Sequence, residues 1–266
     1  MTAVDVGALA RNVATCWRHR AGTLDVARRL ALLYAERCPQ PLRRREWVIG
    51  FRYPAPVGNI RLVLRANSGA DAFIHSEVFE HRYYHLPSDR SPATILDLGA
   101  NIGLSAIYLS RRFPQAEVAC VEPIPTNLDV LRRNLAMNGV KARIFPAAVD
   151  SAEGFAMMQL AGRDYGHRIV PPGERGPQPE LRVPVVSVPT IMRQLGWDRI
   201  GLAKIDIEGQ ERSLFGANCD WLNSVDSIVI ECHDDFGRPE LDALADRFGF
   251  RVEKLPSAMW YLDRIR

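Results

Sequence analysis

The stretch that most constrains the fold of this 266-residue chain is residues 95–103, ILDLGANIG. An apolar run ends there in a turn with two glycines, and an amphipathic segment, LSAIYLSRRF, follows at once. This pattern predicts a buried parallel strand that leads directly into a helix. Gly99 and Gly103 allow a positive φ and a close approach of the backbone, and the first amides of the helix have no partner within it. We therefore expect a ligand to bind on this turn.

The spacing of the glycines distinguishes between two classes of ligand. The dinucleotide fingerprint G-x-G-x-x-G, started at Gly99, requires glycine where the chain has Asn101 and Leu104. The chain instead has D-x-G-x-x-x-G, with Asp97 two residues before the first glycine. A carboxylate there repels a pyrophosphate and attracts a ligand that carries an ammonium and a sulfonium. The turn therefore favours S-adenosylmethionine, and it resembles motif I of the class I methyltransferases.

Length and composition indicate one α/β domain with an appendage. A hydrophobic content of 47% supplies a full core and excludes a disordered chain. Five cysteines without a C-x-x-C pair predict free thiols in a reducing compartment and no zinc site. The first twenty residues lack a signal-peptide pattern, and no eighteen apolar residues are consecutive, so we expect a cytoplasmic protein without a membrane span.

Residues 1–45 are predicted to form a helical N-terminal cap, because apolar residues recur at helical spacing in residues 4–17 and 23–37. This region has nine arginines and three acidic residues, whereas the whole chain has a net charge of only +3. A solvated polar helix face accounts for this charge, and an acidic partner such as a carrier protein or nucleic acid is the alternative.

Residues 46–92 are predicted to form an extension that packs over the cofactor site. Two strands, residues 47–52 and 60–65, precede a helix that runs from Asp71 toward His81. His81 and His85 lie four residues apart, a spacing that is compatible with metal binding on a helix. Because no third ligand is evident, we expect aromatic packing or a lid over the cofactor here, and no metal site.

Residues 93–266 alternate strand and helix, which predicts a doubly wound α/β domain with a mostly parallel sheet that ends in an antiparallel hairpin. The predicted strands are residues 93–98, 118–121, 142–149, 201–207 and 227–231, then a hairpin of residues 251–255 and 259–262. The predicted helices are residues 102–112, 126–137, 189–195, 210–214 and 239–248. Extended residues 155–160 and 181–187 flank an irregular loop, residues 161–180, in which Tyr165 and His167 are candidate contacts.

Glu122 is the second candidate contact to the cofactor. It stands nineteen residues after Gly103, at the predicted carboxyl end of the second strand. A fixed carboxylate there can accept two hydrogen bonds from a ribose diol. Together with the turn at Asp97, it favours an adenosine-containing cofactor.

A further group of acidic and imidazole side chains follows two later strands. The segment GLAKIDIEGQE places Asp206, Glu208 and Glu211 at or beyond one carboxyl end, and SIVIECHDD places Glu231, His233 and Asp234 at the next. In open α/β sheets, ligands bind outside the carboxyl ends of the strands. Both groups should therefore face the donor methyl group.

The order and spacing of ILDLGANIGLSAIYL, CVEPIPTNLDVLRRNLAMNG, KIDIEGQE and IVIECHD resemble the FkbM-type methyltransferases over about residues 70–262. The family is named for an enzyme that methylates a macrolide hydroxyl. The resemblance implies a class I methyltransferase fold, Rossmann-like with seven strands, and S-adenosylmethionine-dependent methyl transfer, usually O-methylation of natural products or sugars. It implies a small-molecule acceptor, free or carrier-bound, and is compatible with a homo-oligomer.

The same resemblance implies the residues that bind the cofactor. Asp97, Gly99, Asn101 and Gly103 would hold the methionine end, Glu122 the ribose, and Asp206 would lie near the amino-acid portion. The predicted set is completed by Ala100, Pro123, Asn127 and Ala148.

For catalysis, the protein must align an in-line displacement and accept the proton of the nucleophile. An imidazole suits the removal of a hydroxyl proton near neutral pH. We hypothesise that His233 is the base and that Asp206, Glu208 or Glu231 orients it or the substrate.

Three other functions compete with this interpretation. Amino-methylating nucleic-acid enzymes typically have a D/N-P-P-Y/F turn after the fourth strand, whereas this chain has Asp206-Ile207-Glu208-Gly209, which argues against a nucleic-acid substrate. A catalytically silent docking module is disfavoured by the intact carboxylates at both strand ends. A nicotinamide oxidoreductase is disfavoured by the glycine spacing.

Overall fold

The computed structural model describes residues 6–34, 46–66, 69–87, 89–159, 168–170, 180–216 and 218–265. The candidate contacts Tyr165 and His167 lie outside the described residues. None of the helices in these ranges has the length and hydropathy of a transmembrane segment.

The centre of the fold is a seven-stranded sheet. In spatial order its strands are β12 (Phe250–Lys254), β13 (Met259–Arg264), β11 (Ser227–Glu231), β10 (Leu202–Ile205), β3 (Thr94–Leu98), β4 (Glu117–Val121) and β5 (Ala142–Phe145). β13 is antiparallel to both of its neighbours, and the other adjacent strands are parallel. This confirms the predicted doubly wound sheet with a final antiparallel hairpin. Because the chain order reverses between β3 and β10, the ligand crevice belongs at their carboxyl ends.

The described ranges contain eight α-helices, of which the last five cover the two faces of this sheet. They are α1 (Val6–Arg18), α2 (Thr23–Leu33), α3 (Ala70–His75), α4 (Leu104–Arg112), α5 (Pro125–Met137), α6 (Val188–Leu195), α7 (Glu211–Gly216) and α8 (Arg238–Phe248). A π-helical turn, Ser76–Glu80, continues α3, and a 3₁₀ turn, Cys219–Ser224, follows α7. The 3₁₀ turn was not predicted.

The alternation of side chains along β3 divides the core into two layers. Ile95 packs in the layer that contains α4 and α5, whereas Leu96 and Leu98 pack in the layer that contains α6, α7 and α8. All three side chains are fully buried, and each such burial is worth about 1.5–3 kcal/mol. The strand is therefore held rigidly on both faces, which fixes the position of the turn at its end.

The N-terminal part of the chain packs on the α4 and α5 layer through a two-stranded hairpin, β1 (Glu46–Arg52) and β2 (Asn59–Arg65). Asn134 of α5 accepts a hydrogen bond from the Val63 amide at 2.7 Å and donates one to the Val63 carbonyl at 3.2 Å. Asn138 makes the same pair of bonds to Arg61, at 3.1 and 2.7 Å. The two asparagine side chains thus give hydrogen-bond partners to backbone groups on the free edge of β2, and they anchor the hairpin to the domain.

Two predictions about the middle of the chain are wrong. The predicted strand over residues 142–149 is two strands in different sheets, β5 and β6 (Ala148–Val149), because Pro146 has no amide to continue the ladder. The segment 161–180, predicted to lack strands, contains β8 (Arg168–Val170). It joins β6, β7 (Gly154–Gln159) and β9 (Glu180–Val186) in a four-stranded sheet, ordered β6-β9-β7-β8.

Candidate active site

The turn after β3 approaches the end of β10 so closely that only glycine fits at its first position. Gly99 has a φ of +77°, and a β-carbon there would lie 1.8 Å from the Asp206 carbonyl oxygen. The amides of Gly99 and Ala100 donate to the Val121 carbonyl at 3.0 and 2.9 Å. Gly99 therefore has the positive φ that the sequence analysis allowed. The turn also contacts the ends of the two strands that neighbour β3, namely β4 and β10.

Asp97 lies behind this turn and does not line the cavity described below. Its carboxylate is fully buried, accepts a hydrogen bond from the Ser105 hydroxyl at 2.6 Å, and lies 3.1 Å from the Lys204 ammonium. Gly103 is also outside the cavity, where it packs against Leu131 of α5. The direct contact of Asp97 and Gly103 with a cofactor stays a prediction.

Lys204, in the middle of β10, was missed in the sequence analysis. It is 1% exposed and donates to the Gly99 carbonyl at 2.7 Å and to the Leu98 carbonyl at 3.3 Å. Its ammonium also lies 3.6 Å from the Asp206 carboxylate. Burial lowers the pKa of Lys204, but the carboxylates of Asp97 and Asp206 outweigh burial and raise it above its usual value. Lys204 is thus a buried cation that ties the turn to both acids.

Glu122 directly follows β4, lines the cavity and is 4% exposed. Its carboxylate accepts hydrogen bonds from the Asn101 amide at 2.9 Å, the Ile124 amide at 2.9 Å and the Asn127 side chain at 3.2 Å. Burial raises its pKa to about 7, although these donors oppose the shift. A carboxylate offers about four lone-pair positions, so capacity remains for a ligand hydroxyl.

A cavity of about 310 Å³ opens at the carboxyl ends of β3, β4, β10 and β11. It brings together eleven of the thirteen predicted site residues, namely Gly99, Ala100, Asn101, Glu122, Pro123, Asn127, Ala148, Asp206, Glu208, Glu231 and His233. The extension contributes Phe73, Ile74, Glu77, Val78, Tyr83 and Tyr84 to the wall. Glu77 was missed in the sequence analysis. The Tyr84 hydroxyl lies 3.4 Å from the Asp206 carboxylate.

Four side chains at the ends of β10 and β11 form what we call the carboxylate–histidine cluster: Asp206, Glu208, Glu231 and His233. The His233 Nε2 atom lies 3.9 Å from an Asp206 oxygen and 3.6 Å from a Glu208 oxygen. Burial lowers the pKa of His233, but hydrogen bonding to Glu211 and the charges of Asp206, Glu211 and Glu208 raise it to about 9.

The acids of this region also affect one another. Burial and the charges of Asp206 and Glu208 raise the pKa of Glu231 to about 7, although His233 opposes the shift. Burial and the charges of Glu231, Asp206 and Glu208 raise the pKa of Glu77 to about 7 as well. This end of the cavity is therefore rich in negative charge and in groups that titrate near neutral pH.

The two histidines with metal-compatible spacing do not meet in the structure. The His85 ring lies 2.6 Å from the Arg112 guanidinium, and His81 packs beside the Tyr83 ring. Within the described ranges, Asp206, Glu208 and His233 instead form a group whose ligand atoms lie within 4.8 Å of one another.

The residues at the other end of the cavity fit the adenosyl part of S-adenosylmethionine. The side-chain oxygens of Asn101 and Asn127 are buried there and have no hydrogen-bond donor among the described residues. Such acceptors are costly unless a ligand supplies donors. With Glu122 they offer three acceptors to hydroxyl and amino groups.

The comparison with protein families decides the class of this protein. The family model of the methyltransferase FkbM domain matches residues 97–252, more than half of the chain. The chain belongs to the FkbM methyltransferase family. This confirms the resemblance seen in the sequence, and the matched residues include both ends of the cavity.

Two relatives and one solved structure illustrate the similarity of this FkbM-family methyltransferase to known proteins. It is 29% identical over 226 residues to methyltransferase sdnD of Sordaria araneosa, which covers 72% of this chain and 86% of that protein. It is 26% identical over 228 residues to 31-O-demethyl-FK506 methyltransferase FkbM of Streptomyces tacrolimicus, which covers 71% and 85%. An O-methyltransferase family protein from Burkholderia thailandensis has a TM-score of 0.45 and 12% identity, covering 75% of this chain and 60% of that one.

Proposed function

We propose that this FkbM-family methyltransferase transfers the methyl group of S-adenosylmethionine to a hydroxyl oxygen of a small-molecule acceptor. One observation carries the proposal: a single cavity has a carboxylate suited to a ribose diol, Glu122, at one end and an imidazole suited to a hydroxyl proton, His233, at the other.

The cofactor would be held by the turn after β3 and the end of β4. Glu122 accepts hydrogen bonds from the ribose, Asn101 and Asn127 supply further acceptors, and Gly99 and Ala100 bring backbone close to the ligand. Pro123 and Ala148 form apolar wall. Asp97 acts from behind the turn through Lys204, which holds the Gly99 carbonyl and Asp206.

Bound S-adenosylmethionine supplies an electrophilic methyl group, so the remaining task of the protein concerns the acceptor. We assign His233 as the base: in the neutral imidazole, Nε2 would take the hydroxyl proton of the acceptor, and bound S-adenosylmethionine would supply the methyl group to the hydroxyl oxygen. Because the pKa of His233 is about 9, the neutral form increases as the pH rises toward 9. Asp206 and Glu208 lie near Nε2, and their charges and that of Glu231 stabilise the imidazolium that forms.

The acceptor end of the cavity supports an acceptor with an apolar body. Phe73 and Ile74 line the cavity on the extension, close in sequence to Glu77, whose carboxylate senses the charges of the carboxylate–histidine cluster. The relative whose name is 31-O-demethyl-FK506 methyltransferase supports O-methylation of a hydroxylated natural product. A sugar hydroxyl is the alternative acceptor.

The test is a methylation screen with isotopically labelled S-adenosylmethionine. Hydroxylated macrolides, other polyketides and sugars are offered beside matched amines and an RNA, and the methylated atom is located by NMR of the product. We expect an O-methyl product, and less of it with Glu122→Gln at the same subsaturating cofactor concentration. Labelling of amines or RNA in preference to hydroxyls would contradict the proposal.

A further inference from the structure

Glu211 is a buried carboxylate that the proposed mechanism has not yet used. It is the first residue of α7, its side chain is 0% exposed, and it does not line the cavity. Its Oε1 atom lies 2.8 Å from Nδ1 of His233. A buried carboxylate is costly unless it is paired, and the imidazole is the partner that this geometry provides.

The contact determines which imidazole nitrogen faces the cavity. Because Nδ1 is held by Glu211, Nε2 is the nitrogen directed toward Asp206 and Glu208, at 3.9 and 3.6 Å. A carboxylate on one ring nitrogen fixes the tautomer in which that nitrogen carries the proton. The other nitrogen then keeps its lone pair for a proton from the acceptor.

Two tight turns fix the positions of Glu211 and His233 relative to each other. Glu208 and Asp234 both have a positive φ, +54° and +52°, which is uncommon for residues other than glycine. Gly209, which follows Glu208, has a φ of +98°, and a β-carbon there would lie 2.8 Å from the Asp234 carboxylate. The turn that leads to Glu211 thus packs directly against the turn that follows His233, and strained backbone of this kind clusters at functional sites.

We propose that Glu211 is a positioning residue for methyl transfer: its carboxylate binds Nδ1–H of His233 and so presents an unprotonated Nε2 to the acceptor hydroxyl. The proposal rests on the proposed function, in which His233 is the base. Glu211 itself touches neither acceptor nor cofactor, and it acts only through the imidazole.

Four carboxylates face the imidazole, and their contributions differ. Glu211 makes the hydrogen bond, Asp206 and Glu208 approach Nε2, and Glu231 lies beside them on β11. Removal of one adjacent opposite charge shifts a pKa by about one to three pH units. Loss of Glu211 should therefore lower the pKa of His233, although the other three carboxylates remain. The neutral imidazole should also no longer be restricted to the Nδ1–H tautomer.

The experiment is an NMR titration of ¹⁵N-histidine-labelled protein, with the His233 signal assigned through His233→Gln. In the wild type, we expect the neutral imidazole to be the Nδ1–H tautomer. In Glu211→Gln, we expect the pKa of His233 to fall by one pH unit or more. Glu253→Gln, which removes the same charge from an exposed side chain of β12, should leave both the tautomer and the pKa of His233 unchanged.

Two results would overturn the proposal. One is an Nε2–H tautomer in the wild type, which is measured without Glu211→Gln and so stays informative where that variant does not fold. The other is an unchanged pKa in folded Glu211→Gln. Binding of S-adenosylhomocysteine, measured on the same samples, reports separately on the proposed function, because Glu211 lies outside the cavity. With an acceptor in hand, kcat measured above pH 9, where the imidazole is mostly neutral in both proteins, should fall at least tenfold in Glu211→Gln, and Glu211→Asp should restore part of it.

Discussion

Replacement of Lys204 by methionine tests the buried ion pair behind the cofactor turn. The substitution keeps an unbranched side chain of nearly the same length and removes its charge, so that the fully buried Asp97 keeps, among the described residues, only the Ser105 hydroxyl as a partner. Removing one partner of a buried pair costs about 3–5 kcal/mol. For a chain of this size, such a loss lowers Tm by about 6–20 °C.

The assay is thermal unfolding of Lys204→Met beside Lys141→Met, an exposed lysine that serves as the control. The double variant Asp97→Asn/Lys204→Met should lose less free energy of unfolding than the two single variants lose together, because the pair is removed as a unit. Binding of S-adenosylhomocysteine should also weaken, since Lys204 holds the Gly99 carbonyl. A Tm for Lys204→Met equal to that of Lys141→Met would refute the reasoning.

Three further predictions concern the cavity. Burial raises the pKa of Glu122 to about 7, and ribose hydroxyls favour its charged form. Calorimetry should therefore show that the affinity for S-adenosylhomocysteine falls as the pH drops through 7, and Glu122→Gln should abolish this dependence. Gly99→Ala should eliminate binding, because its β-carbon would meet the Asp206 carbonyl at 1.8 Å, whereas Gly216→Ala, with open space around it, should bind normally. With an acceptor in hand, EDTA should leave turnover unchanged, because His233 takes the proton; a loss that Mn²⁺ restores would reassign the carboxylate–histidine cluster to a metal.

The strand-turn-helix unit at residues 95–112 was predictable because its signals are local. Apolar strand residues, a glycine turn and a helical period follow one another directly in the chain. The division of residues 142–149 into two strands was missed although its signal, Pro146, is also local. The pairing of β7 with β8 and β9 involves residues apart in the chain, and the charge and proline content of the intervening segment concealed the short strand.

The acids of the site could be predicted, but their partners could not. Asp97 was interpreted as a direct ligand contact, whereas the register of the sheet places it opposite Lys204, a residue far away in the chain. A lysine within the apolar strand GLAKIDI is the signal that was available, because a buried lysine requires an anion.

The contribution of Glu77 shows where sequence reasoning ends. This residue reaches the cavity because a π-helical turn of the extension packs over the main sheet. No periodicity in one sequence determines how two such units dock. The same holds for the pairing of Glu211 with His233, whose residue types were evident but whose 2.8 Å contact depends on two packed turns.

The measurement that tests the central claim most directly is calorimetric titration of the purified protein with S-adenosylhomocysteine, beside Glu122→Gln. The account predicts micromolar binding by the wild type and binding at least about tenfold weaker by the variant, since a hydrogen bond to a charged group is worth about 1.5–3 kcal/mol. No binding by a folded wild type would contradict the assignment of the cavity to this cofactor.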